Sequence, residues 1–111
     1  MVLLFLILPD GSRLDDVLEA YLEVGITGAT VLDARGMGQI LSEEVPIFAG
    51  LRSLFPGGET AHHLILSVAE EDKAREALEL IQGICGDLGK KGTGIAFTVP
   101  VTGVMGLAKE L

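Results

Sequence analysis

The stretch from Leu14 to Gly38, LDDVLEAYLEVGITGATVLDARGMG, decides how the chain is read. Its first half repeats Leu14, Val17, Leu18, Tyr21 and Leu22 at helical spacing, with Asp15 and Asp16 near the positive end of the helix dipole. A helix from Arg13 to Val24 follows, with Ser12 as its cap and Gly25 as its left-handed stop. Beyond it, the β-branched Thr30 and Val31 predict a strand from about Gly28 to Arg35, closed by Gly36 and Gly38. Gly25 and Gly28 read as punctuation between helix and sheet. The second pair marks either a plain turn or a backbone that approaches a ligand closely.

Working outward, VLLFLIL (Val2 to Leu8) is a continuous apolar run stopped by Pro9, Asp10 and Gly11, short enough to be a strand. It lacks the basic flank and the small-residue cleavage site of a signal peptide and is too short to span a bilayer. A third strand is predicted over about His62 to Val68. A second helix follows from Ala69 to about Cys85, with Ala74, Ala77, Leu78, Ile81, Ile84 and Cys85 on one face and Gly86 at its end. After the loop GDLGKKGTG, the run IAFTVPV is the fourth strand.

The order β-α-β-β-α-β is the split, ferredoxin-like unit of the α+β class, an antiparallel sheet with two helices on one face. All 111 residues are expected to form one domain. A half-exposed antiparallel strand normally alternates apolar and polar residues, and the first strand does not. Something must cover the second face of the sheet, and further copies of the same chain are the simplest cover.

Charge narrows the function classes. With 8 Lys and Arg against 16 Asp and Glu, the net charge is -8, which repels nucleic acid, and no basic stripe suits a membrane surface. No nucleic-acid partner and no direct membrane insertion are therefore expected. The single cysteine, Cys85, fits a reducing compartment, so a cytoplasmic location is expected, with the thiol read as structural.

The residues from Leu14 to Gly38 resemble the first helix and second strand of PII signal-transduction proteins, which run LDDV, EVGITG, a threonine, and a Gly-aromatic-Gly turn. GTGIAFTVPV (Gly92 to Val101) is similar to that family's B-loop and last strand. The resemblance implies a homotrimer with its sheets facing a central core. It implies no catalysis, and instead a regulator that binds ATP or ADP between subunits, often with 2-oxoglutarate, and controls a membrane transporter or metabolic enzyme through a long T-loop.

Matched position by position, the resemblance assigns ligand contacts to Thr30, Gly36, Gly38, Gly92 and Gly94, and the adjoining Gln39 and Thr93 join the candidate set. Its charged contacts differ. The family follows its glycine turn with Arg-Gln, where this chain has Gln39 and Ile40, and Gly106 and Ala108 stand where the family has Arg-x-Arg. Lys90 and Lys91 are the candidate replacements, with Lys109, Arg13 and Arg35 behind them. The expected ligand is a small anion, with ATP, ADP or AMP as the candidates.

The T-loop-like insertion spans residues 37–60, too long for an ordinary hairpin. The family's loop tyrosine has no counterpart, since the only tyrosine is Tyr21. Within the insertion, Pro46 suits a first helical position, and Ile47, Phe48, Leu51, Leu54 and Phe55 fall on one face of a short amphipathic helix over 46–55. So short a helix needs a surface to pack on, either its own assembly or a partner protein.

Other chemistry is weaker. His62 and His63 point to opposite faces of a strand and cannot chelate one ion together, although one of them with Glu59, Glu70 or Asp33 of a neighbour could. A trimeric divalent-metal-responsive protein of the same architecture is therefore the alternative reading. Ser67, His63 and Asp33 have the composition of a triad but lie in no nucleophile motif, so no catalytic residue is assigned.

Overall fold

A computed structural model describes residues 1–9, 11–44, 62–86 and 94–107. Four strands, β1 (Val2–Leu8), β2 (Thr30–Ala34), β3 (His62–Ala69) and β4 (Ile95–Pro100), form one antiparallel sheet in the order β2-β3-β1-β4. The helices are α1 (Leu14–Glu23), α2 (Met37–Glu44) and α3 (Glu71–Cys85). The split β-α-β order expected from the sequence is present, with β1 central and β2 and β4 at the edges.

Strand β1 has two different faces despite its uniform composition. Val2, Leu4, Leu6 and Leu8 point under the helices and are buried, whereas Leu3, Phe5 and Ile7 point the other way and stay half-buried. The core is closed by Val17, Ala20 and Tyr21 of α1, Ala74, Ala77 and Ile81 of α3, Ile65 of β3, and Ile26. Both helices therefore pack on one face.

The opposite face is a lattice of apolar side chains. Register aligns Thr30, Leu66, Phe5 and Phe97 in one row, Leu32, Leu64, Ile7 and Ile95 in the next, and Val68, Leu3 and Val99 in a third. Phe5 and Phe97 stack with ring centroids 4.6 Å apart, yet Ile95, Phe97 and Val99 remain 56%, 41% and 42% exposed. The absence of alternation in β1 is thus explained by two apolar faces, one covered by helices and one uncovered in the single chain.

Helix α1 ends as the sequence predicts. Gly25 takes φ 87°, its N–H donates to the Leu22 carbonyl at 3.0 Å, and Ile26 N–H donates to the Tyr21 carbonyl at 2.8 Å. These two bonds are the Schellman closure. The helix start differs, because Gly11–Arg13 forms a 3-10 turn and the N-cap position passes to Arg13, without a side-chain cap. Ala69, expected in the second helix, instead ends β3 opposite Val2 and is buried in the core.

Residues 37–44 depart most from expectation. The segment expected to leave Gly36 as a glycine turn into a loop begins as helix α2, whose first-turn bond runs from Ile40 N–H to the Gly36 carbonyl at 3.1 Å. Gly38 is a buried position inside that helix, not a turn residue. A glycine in a helix costs about 1 kcal/mol relative to alanine, which is why the sequence pattern pointed away from helix here. The amphipathic helix expected over 46–55 lies outside the described residues.

Candidate functional site

Of the five sequence-predicted ligand positions among the described residues, Gly36, Gly38, Gln39 and Gly94 gather at one end of the sheet. At that end β2 and β1 finish, and β3 and β4 begin. Gly36 follows β2, with Gln39 half-buried in the first turn of α2, and Gly94 precedes β4. Thr30 stands at the opposite end of β2, on the apolar face and in the row of Leu66 and Phe5. Lys90, Lys91, Gly92 and Thr93 lie outside the described residues, as does Lys109.

Three glycines at this end are held by close contacts that a side chain would disturb. A Cβ on Gly94 would lie 2.5 Å from the Ile7 carbonyl oxygen, and Gly94 takes φ 115°, so both packing and backbone require glycine. At Gly36 a Cβ would meet the His62 ring at 2.6 Å, and at Gly11 the His63 ring at 2.5 Å. The two adjacent imidazoles thus brace two turns, the one between β1 and α1 and the one between β2 and α2. Composition gave no signal for this, because it depends on which strand ends meet.

His62 and His63 do face opposite sides of β3. His63 Nδ1 lies 3.3 Å from the Asp33 carboxylate, on the strand paired with it, and Asp33 is largely exposed. Ser67 stands four residues further along β3, about 13 Å away at the rise of a strand, and its hydroxyl donates to the Gly28 carbonyl at 2.6 Å. These three residues therefore do not assemble as a triad. Among the described residues, no group of three His, Cys, Asp or Glu is placed to hold a metal ion.

Burial acts on two side chains, Cys85 and Tyr21. Burial pushes the Cys85 thiol up, an effect that the charge of Arg13 opposes and that of Asp16 reinforces. Tyr21 is likewise shifted above the ordinary range of a phenol by burial in the core. Of the candidate replacement cations, Arg35 directly precedes Gly36, whereas Arg13 sits at the head of α1 within reach of Cys85.

The sheet order decides what these positions can do. Gly36 and Gln39 leave the β2 edge and Gly94 enters at the β4 edge, separated by β3 and β1. Three interstrand spacings amount to about 14 Å. In one chain Gly36 and Gly94 therefore adjoin opposite edge strands. A cleft of ≈ 200 Å³ between Gly25–Gly28, Glu70 and Lys73 includes none of the predicted ligand residues.

No helix among the described residues is long and apolar enough to cross a membrane. No curated protein matches the chain. The family model described as Nitrogen regulatory protein P-II matches residues 4–110, which takes in both sheet edges, the segment after β2 and the glycine-rich approach to β4. With the split β-α-β sheet already in view, the chain belongs to the P-II nitrogen regulatory protein family.

Proposed function

We propose that this protein is a cytoplasmic, non-enzymatic PII-type regulator that assembles as a homotrimer through the uncovered face of its sheet. It binds a small anionic ligand, an adenine nucleotide, between the β2 edge of one copy and the β4 edge of the next. The observation that carries this reading is the placement of Gly36 and Gly94 on opposite edges of a sheet whose open face is apolar. Burial of that face brings neighbouring copies together, and edge-to-edge contact completes a cleft that one chain lacks.

In this reading Thr30, Gly36, Gly38 and Gln39 line one wall, and Lys90, Lys91, Gly92, Thr93 and Gly94 line the other. Glycine-rich backbone supplies N–H donors to phosphate oxygens, and the lysines supply charge. Where the family carries arginines, this chain has Gln39, Gly106 and Ala108. Each lost contact to a charged phosphate costs about 1.5 to 3 kcal/mol, so AMP or ADP is favoured over ATP. Ligand occupancy is read out through residues 37–60, where Ile47, Phe48, Leu51, Leu54 and Phe55 meet the regulated transporter or enzyme.

A thermal-shift screen tests this, because a ligand that binds only the native state raises its stability. The panel is ATP, ADP, AMP, cyclic dinucleotides, 2-oxoglutarate, bicarbonate and divalent metals. The expected result is a rise in melting temperature with an adenine nucleotide, larger for AMP or ADP than for ATP. A rise with divalent metals alone would transfer the site to the metal-responsive alternative, and no rise with any nucleotide would overturn the nucleotide assignment.

A further inference from the structure

We propose that the groove between α1 and α3, on the helical layer, docks a basic amphipathic helix belonging to a partner protein. The groove has a volume of ≈ 260 Å³ and is lined by Asp16, Glu19, Ala20 and Glu23 of α1 and by Leu80 and Ile84 of α3. Its floor is apolar: Leu80 is 36% exposed although it sits mid-helix, and Ile84 is half-buried beside it. Its rim is acidic and contains no Lys or Arg.

The spacing makes the rim a row. Asp16, Glu19 and Glu23 stand three and four residues apart, which places them on one side of α1 over about 10 Å. The ion pairs of His63 with Asp33 and of Arg75 with Glu71 lie outside the groove, and among the described residues no cation lies within ion-pair distance of the three groove carboxylates. Arg13, whose charge reaches the Cys85 thiol, is not part of the lining.

Charge decides the occupant. A second copy of this chain, at net charge -8, would set acid against acid, and an anionic lipid surface or nucleic acid would be repelled in the same way. Simple counterions satisfy the rim but leave the apolar floor wet. A helix with apolar anchors on one face and Lys or Arg flanking them answers both, in the helix-in-groove mode. The groove faces away from the apolar side of the sheet, so the inference stands whether or not the trimer forms.

The test uses the full chain, ¹⁵N-labelled, titrated with a synthetic helical peptide that carries leucines at i, i+3, i+4 and i+7 and lysines elsewhere. The expected result is chemical-shift change confined to the groove, with affinity at least tenfold weaker for the Glu19→Lys, Glu23→Lys variant at unchanged melting temperature. A peptide of equal charge with its leucines replaced by serine is expected not to bind. Binding of the serine peptide as tightly as the leucine one would overturn the proposal, as would shifts centred elsewhere. Concentration-dependent self-association abolished by Glu19→Lys would name a second copy as the occupant and also overturn it. If a Leu80→Ser variant does not fold, the serine peptide carries the apolar arm of the test.

Discussion

At the scale of single residues, the glycines divide into those the fold requires and those it does not. Gly94 combines φ 115° with a backbone oxygen of Ile7 where its side chain would be, and that oxygen cannot rotate away. Gly94→Ala is expected to lower stability by about 1 to 3 kcal/mol, read from the midpoint of urea unfolding. Gly28 has open space around its would-be Cβ and no left-handed backbone, so Gly28→Ala should be neutral or stabilising by up to about 1 kcal/mol. Equal losses at the two positions would contradict this account of Gly94.

Tyr21 gives a second residue-scale prediction. It is 2% exposed, and its hydroxyl has no hydrogen-bond partner among the described residues. An unsatisfied buried hydroxyl is costly, so Tyr21→Phe should be neutral or stabilising by about 1 kcal/mol near neutral pH. The alkaline response fixes the sign: burial raises the phenol above its ordinary range, so the native state favours the protonated form. This contribution is present below the unfolded tyrosine value of about 10 and is lost as pH rises above it. Urea unfolding between pH 8 and 11 should therefore show a steeper alkaline loss for the natural chain than for Tyr21→Phe.

At the scale of elements, β4 is the strand on which the proposed assembly can be tested. Phe97 points away from the helices, stacks on Phe5 and is 41% exposed, so it would contribute to the proposed interface more than to the core of the single chain. Full burial of such a side chain is worth about 1.5 to 3 kcal/mol per copy. Phe97→Glu should leave the circular dichroism spectrum native-like while light scattering reports loss of the oligomer. An unchanged oligomer would move the interface off this face.

The same scale shows why some elements were legible and others not. The strands were read correctly because apolar runs bounded by glycine and proline are short-range signals, and Gly25 and Gly86 marked helix ends by a local backbone need. Helix α2 was missed because Gly38 has poor intrinsic propensity, and a buried position inside a folded element overrides propensity. Ala69 fell on the wrong side of a boundary because alanine suits strand and helix alike, and only pairing with Val2 settles it. The glycines of the candidate site were readable as glycines, but the edges they occupy follow from strand order, which no local pattern encodes.

At the scale of the whole molecule, the single chain has two features that the proposed trimer would bring together. An apolar sheet face is exposed, and Gly36 and Gly94 adjoin opposite edge strands, about 14 Å apart by strand spacing. Closing the face brings rims of neighbouring copies together, so copy number and ligand binding should rise and fall as one property. The helical layer stays outward in such an assembly, leaving its acidic groove open. Native mass spectrometry of the full chain with AMP, ADP or ATP reads copy number and bound ligand in one spectrum. The account predicts assemblies of three 11.7 kDa chains carrying up to one nucleotide per chain, whereas monomers, or trimers that never carry a nucleotide, would contradict it.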